Sequence, residues 1–163
     1  MNRWVRRILI VLEVGGGFTG LSLMLVSLKS ATNMPAHAVV GLSLFACVFL
    51  FGIVSGLALA DRLRMGIVLS AIYQTVQIPI VSSSSVSYKL FSGAQIGLQW
   101  REGGLGITFD YGARSFLGWM HRDPLQIGIN VLALGLLVYL LTVKPEGEPL
   151  GHDGIPGTAT HYG

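Results

Sequence analysis

Four long apolar runs dominate the pattern of hydrophobic and polar positions along the chain. They cover residues 8–28, 38–60, 65–81 and 125–143. A helix needs about 20 apolar residues to cross the hydrocarbon core of a bilayer, and runs of about 17 to 25 residues serve this purpose. The pattern therefore predicts an all-α membrane protein, a four-transmembrane-helix bundle, whose membrane domain occupies residues 1–144.

The composition agrees with this prediction. Of the 163 residues, 52% are hydrophobic and 12% are charged, whereas soluble domains carry about 25% charged residues. The mean hydropathy is +0.64. These values argue against a water-soluble enzyme. The net charge of +3 comes from basic residues that are scattered along the chain, and nucleic-acid binding requires them to form a patch.

The first run has the features of a membrane anchor rather than of a cleaved signal peptide. A basic segment precedes it, and Ala36-His37-Ala38 resembles a cleavage site. However, the apolar part of a signal peptide has about 7–15 residues, and this run is longer and contains Glu13. We therefore expect it to remain as the first membrane span.

The basic residues predict the orientation of the spans. Arginines cluster before the first span, and Arg62 and Arg64 lie in the short link between the second and third spans. Basic residues in short segments next to a span favour the cytoplasmic side. We expect both termini to be cytoplasmic, in a bacterial inner membrane.

Glycines at four-residue spacing predict close helix packing. Gly16 and Gly20 form one such pair in the first run, and Gly52 and Gly56 form another in the second. Small residues let helix backbones approach each other in a membrane. We expect these contacts inside the bundle, with contacts between copies of the chain as the alternative.

Glu13 is the acidic residue inside a predicted span. An intramembrane carboxylate is costly and is a functional candidate by default. Glu13 lies about 8 Å along the helix from Ile8, which predicts a position near the cytoplasmic interface. Either Arg62 or Arg64 neutralises it there, or it handles a proton or a cation.

Three amide side chains are the other intramembrane polar candidates. Gln74 and Gln77 share one face of the third run, and Asn130 is the most polar residue of the fourth. They either hydrogen-bond across the bundle or line a polar cleft.

A β-hairpin is predicted between the third and fourth runs. Residues 86–101 and 105–111 alternate between apolar and polar positions, and Arg101-Glu102-Gly103-Gly104 is typical of a turn. Pairing Trp100 with Leu105 places apolar residues opposite apolar ones and polar residues opposite polar ones. The hairpin insert is therefore expected over residues 86–112, on the outer side.

The apolar face of this hairpin needs a cover, because an isolated hairpin is marginal in water. The cover is the outer mouth of the bundle, the headgroup layer, a second copy or another protein. A short interfacial helix is predicted over residues 113–122. The residues expected to form the interaction surface are Ile96, Leu98, Trp100, Leu105, Ile107, Phe109, Tyr111, Phe116 and Trp119.

Motifs for catalysis or cofactor binding are not found. The chain has no P-loop, dinucleotide fingerprint, nucleophile elbow or zinc-protease motif, and the single Cys47 has no partner for an internal disulfide. We expect no cofactor and no enzymatic activity. Residues 145–163 are rich in Gly and Pro and predict a flexible cytoplasmic tail.

The leading hypothesis is a non-enzymatic accessory, assembly or scaffold subunit. It binds another membrane or periplasmic protein, or further copies of itself, through the hairpin and the small-residue helix faces. The alternative is a homo-oligomeric channel or small transporter with a polar path near Glu13, Gln74 and Gln77.

Overall fold

The described residues form a mixed α/β fold, with four helices and a four-stranded antiparallel sheet. The prediction of an all-α four-helix bundle is therefore wrong. The structure is a computed structural model. It describes residues 1–29, 36–61, 63–83, 86–101, 103–119 and 125–143, so the predicted tail over 145–163 lies outside the described residues.

The helices are α1 (Arg3–Lys29), α2 (Ala36–Asp61), α3 (Leu63–Gln77) and α4 (Val131–Thr142). A π-helical turn over Val11–Gly15 interrupts α1. Among the described helices, α1 and α2 are long and apolar enough to cross a membrane.

The strands are β1 (Pro79–Ser82), β2 (Val86–Arg101), β3 (Gly104–Trp119) and β4 (Gln126–Asn130). Their order is β1-β4-β2-β3, and β1 also pairs with β2. Strand β1 pairs with the beginning of β2, and β4 pairs with its end. Since β1 and β4 also pair with each other, these three strands curl around a common interior.

The third and fourth apolar runs each combine a helix with a strand, which corrects the prediction of two full helices. The third run changes from α3 to β1 at Pro79, whose ring and missing N–H do not allow a helix to continue. The fourth run begins as β4, where isoleucines alternate with Gly128, and becomes helical after Asn130. The helical part and the strand part of each run have similar hydropathy, so hydropathy does not show where one changes to the other.

The predicted hairpin and its register are confirmed. Trp100 pairs with Leu105, Ile96 with Phe109 and Ala94 with Tyr111. The pairing continues beyond the predicted end of the insert, as far as Trp119 opposite Val86. The interfacial helix predicted over 113–122 is therefore wrong for residues 113–119, because pairing with β2 overrides the helix-like spacing of the aromatic residues there.

Glycines allow α1 to cross the hairpin at close range. Gly93 and Gly112 face each other in the register, and both have a positive φ, +88° and +105°. A Cβ on Gly16 of α1 would lie 2.3 Å from the Gly93 nitrogen. At this point helix and strand pack backbone against backbone.

Two clusters of buried apolar residues hold the helices and the sheet together. The first joins α1, α2 and β2 through Met24, Phe49 and Leu90 with their neighbours. The second joins α1, α2 and α4 through Leu9, Leu59 and Leu140.

Candidate functional site

The outer face of the sheet is apolar and exposed, and we call it the apolar sheet face. Phe109 is 78% and Tyr111 is 93% exposed. Ile96 and Leu98 lie on the same face and are half-buried. The apolar sheet face consists of Ile96, Leu98, Trp100, Leu105, Ile107, Phe109, Tyr111, Ile127 and Ile129.

The opposite face of the sheet is polar and buried. Gln95 is 0% and Gln99 is 1% exposed, and Lys89 forms an ion pair with Asp110 at 3.0 Å. The hairpin therefore turns its polar side toward the interior of the protein. The chain's own helices cover the beginning of the apolar side, where Leu90 packs against Met24 and Phe49, but they leave Ile107, Phe109 and Tyr111 exposed.

Two aromatic residues of the predicted interaction surface lie near the end of β3. Phe116 and Trp119 pair with Lys89 and Val86 through their backbones. Their side chains lie outside the part of the structure that is described.

The Glu13 carboxylate lies in a buried polar cluster between α1, α2 and α3. It accepts hydrogen bonds from Ser55 Oγ at 2.7 Å, Ser70 Oγ at 2.9 Å and Gln74 Nε2 at 3.1 Å. Neutral groups of α2 and α3 make these contacts, whereas the sequence suggested an arginine of the α2–α3 link. Sequence reasoning missed Ser55 and Ser70, although both interrupt otherwise apolar runs.

The other predicted polar residues connect helices to strands. Gln77 Oε1 accepts a hydrogen bond from the Ser92 backbone N–H at 2.8 Å. Asn130 is the N-cap of α4, and its Oδ1 accepts from the Ala133 N–H at 3.3 Å. The structure thus places Gln74 with Glu13, and Gln77 and Asn130 at junctions with the sheet.

The four glycines of the predicted helix-packing motifs are all buried inside the chain. A Cβ on Gly20 would lie 2.5 Å from the Phe49 ring, and one on Gly52 would lie 2.4 Å from the Tyr73 ring. A Cβ on Gly56 would lie 2.7 Å from Val14 of α1, and Gly16 faces β2. These positions serve contacts within one chain.

A second feature, which sequence reasoning missed, is a cavity of about 430 Å³ on the polar side of the sheet. We call it the basic cavity because three of its lining residues are cationic. The residues lining it are Ile80, Val81, Ser82, Ser87, Lys89, Arg101, Arg114, Ser115 and Gln126.

Hydrogen bonds position the polar groups at one end of the basic cavity. Gln99 Nε2 donates to Thr108 Oγ1 at 3.1 Å, which fixes the amide. Gln99 Oε1 then accepts from Arg101 Nη2 at 3.0 Å and from Gln126 Nε2. If the predicted register is extended along the hairpin, Arg114 lies opposite Phe91. This pairing would have indicated that Arg114 and Lys89 lie on the same face of the hairpin.

Tyr88 attaches the beginning of β2 to the end of α3. Its hydroxyl donates to the Val76 carbonyl at 2.8 Å. Burial raises the pKa of Tyr88 to about 12, so the phenol stays neutral and keeps the proton that it donates.

Arg6 joins the beginning of α1 to the end of α2. Its guanidinium donates to the Leu59 carbonyl at 2.8 Å and to the Ala60 carbonyl at 2.5 Å. These carbonyls belong to the last turn of α2, where a cation is favourable.

Metal-binding chemistry is not found in the described part of the chain, where no three His, Cys, Asp or Glu side chains lie close enough to hold an ion. Comparisons of the chain with protein families, with curated proteins and with solved structures give no match.

Proposed function

We propose that this chain is an integral membrane protein that binds another membrane protein through the apolar sheet face, as an accessory, assembly or scaffold subunit. The exposure of Ile107, Phe109 and Tyr111 carries the proposal. A contiguous apolar patch of this kind is typical of an interaction site. The packing glycines are already used inside the chain, so the proposal rests on the sheet.

The lengths of the elements support a position in the membrane. Helix α3 has 15 residues and β1 has 4, which together give about 35 Å. Strand β4 and helix α4 have 5 and 12 residues, which also give about 35 Å. The hydrocarbon core is about 30 Å thick. Each composite segment is therefore as long as a membrane span.

Contacts at the helix ends support a common side for the first and last segments. The Asn2 backbone N–H donates to the Tyr139 hydroxyl at 3.0 Å, and Arg6 caps α2. The start of α1 and the ends of α2 and α4 therefore lie at one end of the molecule. We propose that this end is cytoplasmic, in a bacterial inner membrane, because the N-terminal arginines lie there.

The free edge of β3 favours a protein rather than lipid as the occupant of the apolar sheet face. Within the described sheet, β3 pairs with β2 alone. Unpaired backbone groups at a strand edge are costly in hydrocarbon and readily accept a strand from a partner. A protein that covers this edge provides hydrogen bonds that lipid chains lack.

Site-specific crosslinking tests the proposal. The photoreactive amino acid benzoylphenylalanine is introduced in place of Phe109, and in a matched control in place of Phe18, which is 59% exposed on α1. We expect irradiation of intact cells to give a protein adduct of one defined mass from position 109 and none from position 18. Mass spectrometry then identifies the adduct, and crosslinking from the partner verifies it.

A charge variant makes this test specific. Ile107→Lys places a charge on the exposed apolar sheet face without entering the core, so the protein is expected to insert normally while the adduct from position 109 disappears. An adduct that forms only with lipid, or only with a second copy of the chain, would contradict the proposal.

A second candidate function is a homo-oligomeric channel or small transporter. Buried polar groups favour it, namely the Glu13 cluster and the Gln95 amide, which has no hydrogen-bond partner among the described residues. Proteoliposomes test it directly. Flux above that of empty vesicles, and its loss in Glu13→Ala, would support this candidate, and no flux would exclude it.

A further inference from the structure

The basic cavity concentrates positive charge that the described residues balance only in part. The chain has 11 Lys and Arg residues, and three of them line this one cavity. Lys89 is paired with Asp110, whereas Arg101 donates to a neutral amide. Arg114 is exposed and makes no hydrogen bond or ion pair with the described residues. Two guanidinium groups therefore lack a carboxylate partner there.

The neutral lining of the cavity adds hydrogen-bond donors. Ser82 and Ser87 contribute hydroxyl groups, and Gln126 contributes an amide. Ser82 and Ser87 also face each other across β1 and β2, with their oxygens 3.0 Å apart. Hydroxyl and guanidinium donors that surround one space match a ligand with several anionic oxygens.

Hydrogen bonds within the protein hold two of the polar side chains of the basic cavity in place. Gln99, which is almost fully buried, orients both Arg101 and Gln126 through a single oxygen atom. The cavity volume of about 430 Å³ lies within the range of about 300–1,000 Å³ that is typical of small-molecule sites.

Phosphate is the anion that fits these groups best. Guanidinium groups bind phosphate in a bidentate manner, and two of them at one cavity provide for several of its oxygens. A carboxylate has only two oxygens and would accept fewer hydrogen bonds from the guanidinium groups, the serine hydroxyls and the Gln126 amide.

We propose that the basic cavity binds a phosphate group. The group is either part of a glycerophospholipid headgroup or a soluble phosphate. This site lies on the polar side of the sheet, opposite the apolar sheet face, so the proposal does not depend on the proposed partner.

Native mass spectrometry and thermal unfolding of the purified full-length protein in a neutral detergent test the proposal. Three probes are added separately at constant ionic strength: phosphatidylglycerol, phosphatidylcholine and inorganic phosphate. We expect phosphatidylglycerol or inorganic phosphate to bind and to raise the unfolding temperature, and phosphatidylcholine to bind more weakly than phosphatidylglycerol.

Two variants and one matched control localise the binding. Arg114→Gln removes a guanidinium without a described protein partner, so folding is expected to be unchanged while probe affinity falls about tenfold or more. Arg101→Gln is the second variant and is expected to act in the same direction. Lys29→Gln removes one charge from the end of α1, away from the cavity lining, and is expected to bind the probe as the wild type does.

The pattern of binding distinguishes the two sources of phosphate. Binding of phosphatidylglycerol without inorganic phosphate identifies a lipid headgroup, whereas binding of inorganic phosphate identifies a soluble ligand. The proposal is overturned if neither probe binds, or if Arg114→Gln and Arg101→Gln fold normally and bind as tightly as the Lys29→Gln control.

Discussion

At the scale of single residues, Glu13 has the largest set of buried hydrogen bonds in the described helices. Its carboxylate joins α1 to α2 through Ser55, and to α3 through Ser70 and Gln74. A buried hydrogen bond makes a modest net contribution to the free energy of unfolding, whereas a buried polar group without a partner costs about 1–3 kcal/mol. Glu13 therefore fixes the relative positions of three helices.

Substitution of Glu13 is expected to destabilise the protein in a graded way. Glu13→Leu removes the acceptor of all three hydrogen bonds. Ser55 and Ser70, whose hydroxyl oxygens lie 3.1 Å apart, still bond to each other, whereas Gln74 loses its partner, so the loss is expected to be about 1–3 kcal/mol. Glu13→Gln keeps one acceptor oxygen and is expected to lie between Glu13→Leu and the wild type. Thermal unfolding in detergent measures the series. Equal unfolding temperatures for Glu13→Leu and the wild type would contradict the role of the cluster.

Asn130 has a different role at the residue scale, because it lies at the junction of β4 and α4. Its side chain caps α4, and its backbone N–H donates to the Ile78 carbonyl at 2.8 Å. Asn130→Ala is expected to cost about 1 kcal/mol, the usual effect of removing an N-cap. Asn130→Asp keeps a capping oxygen and is the control in the same unfolding measurement. A loss in Asn130→Asp that exceeds the loss in Asn130→Ala would show that the cap is not the main contribution.

At the scale of elements, the crossing of α1 and the hairpin depends on two glycines in contact. A Cβ at Gly16 would meet Ser92 and Gly93 at 2.2–2.6 Å, whereas a Cβ at the neighbouring Gly15 would meet nothing within 4 Å. The two positions have the same residue type in the same helix. They therefore form a matched pair.

Gly16→Ala is expected to destabilise the protein by about 1–3 kcal/mol, because overpacking forces α1 away from β2. Gly15→Ala is expected to be neutral or stabilising by up to about 1 kcal/mol, since alanine favours a helix more than glycine does. Chemical or thermal unfolding of both variants compares them directly. Similar stabilities for the two variants would show that α1 and the hairpin do not pack in the way described.

The elements also explain which parts of the fold were predictable from sequence. The hairpin register was predictable because apolar and polar positions sort together in only one alignment, and a shift by one residue would reverse them. The strands β1 and β4 were missed because a hydropathy window reports apolar length, which helix and strand satisfy equally. Pro79 was the local signal that the third run does not stay helical.

The two candidate sites differ in how far a local sequence pattern could predict them. Alternation identified the residues of the apolar sheet face but did not say which face of the hairpin points inward. The basic cavity requires Lys89, Arg101 and Arg114 to line the same space, and this depends on the curling of β2 by its pairing with β1 and β4. Such long-range pairing is not contained in any local pattern.

At the scale of the whole molecule, the sheet has its polar side toward the interior and its apolar side toward the outside. Polar side chains such as Gln95 and Gln99 lie inside, and Phe109 and Tyr111 lie outside. Exposed apolar residues continue over α1, α2 and α4. The proposed membrane position agrees with the exposed apolar residues of the helices, and the proposed partner covers those of the sheet.

Cysteine labelling tests the proposed orientation of the molecule. In a Cys47→Ser background, Gly103→Cys marks the hairpin turn and Asp61→Cys marks the end of α2. A membrane-impermeant maleimide is expected to label position 103 once the outer membrane is permeable, and position 61 only after the inner membrane is broken. Labelling of both positions from the same side would contradict the proposed topology.

The pairing of β4 with both β1 and β2 sets the order of events during biosynthesis. Residues 79–101 leave the ribosome before β4 does, and the strand edges that β4 occupies stay open during that interval. Open edges are costly in hydrocarbon, so in the proposed membrane position we expect the insertion machinery to shield them until Asn130 emerges. A nascent chain that is stalled before β4 is therefore expected to remain crosslinked to an insertase, and one stalled well after it is expected to be released.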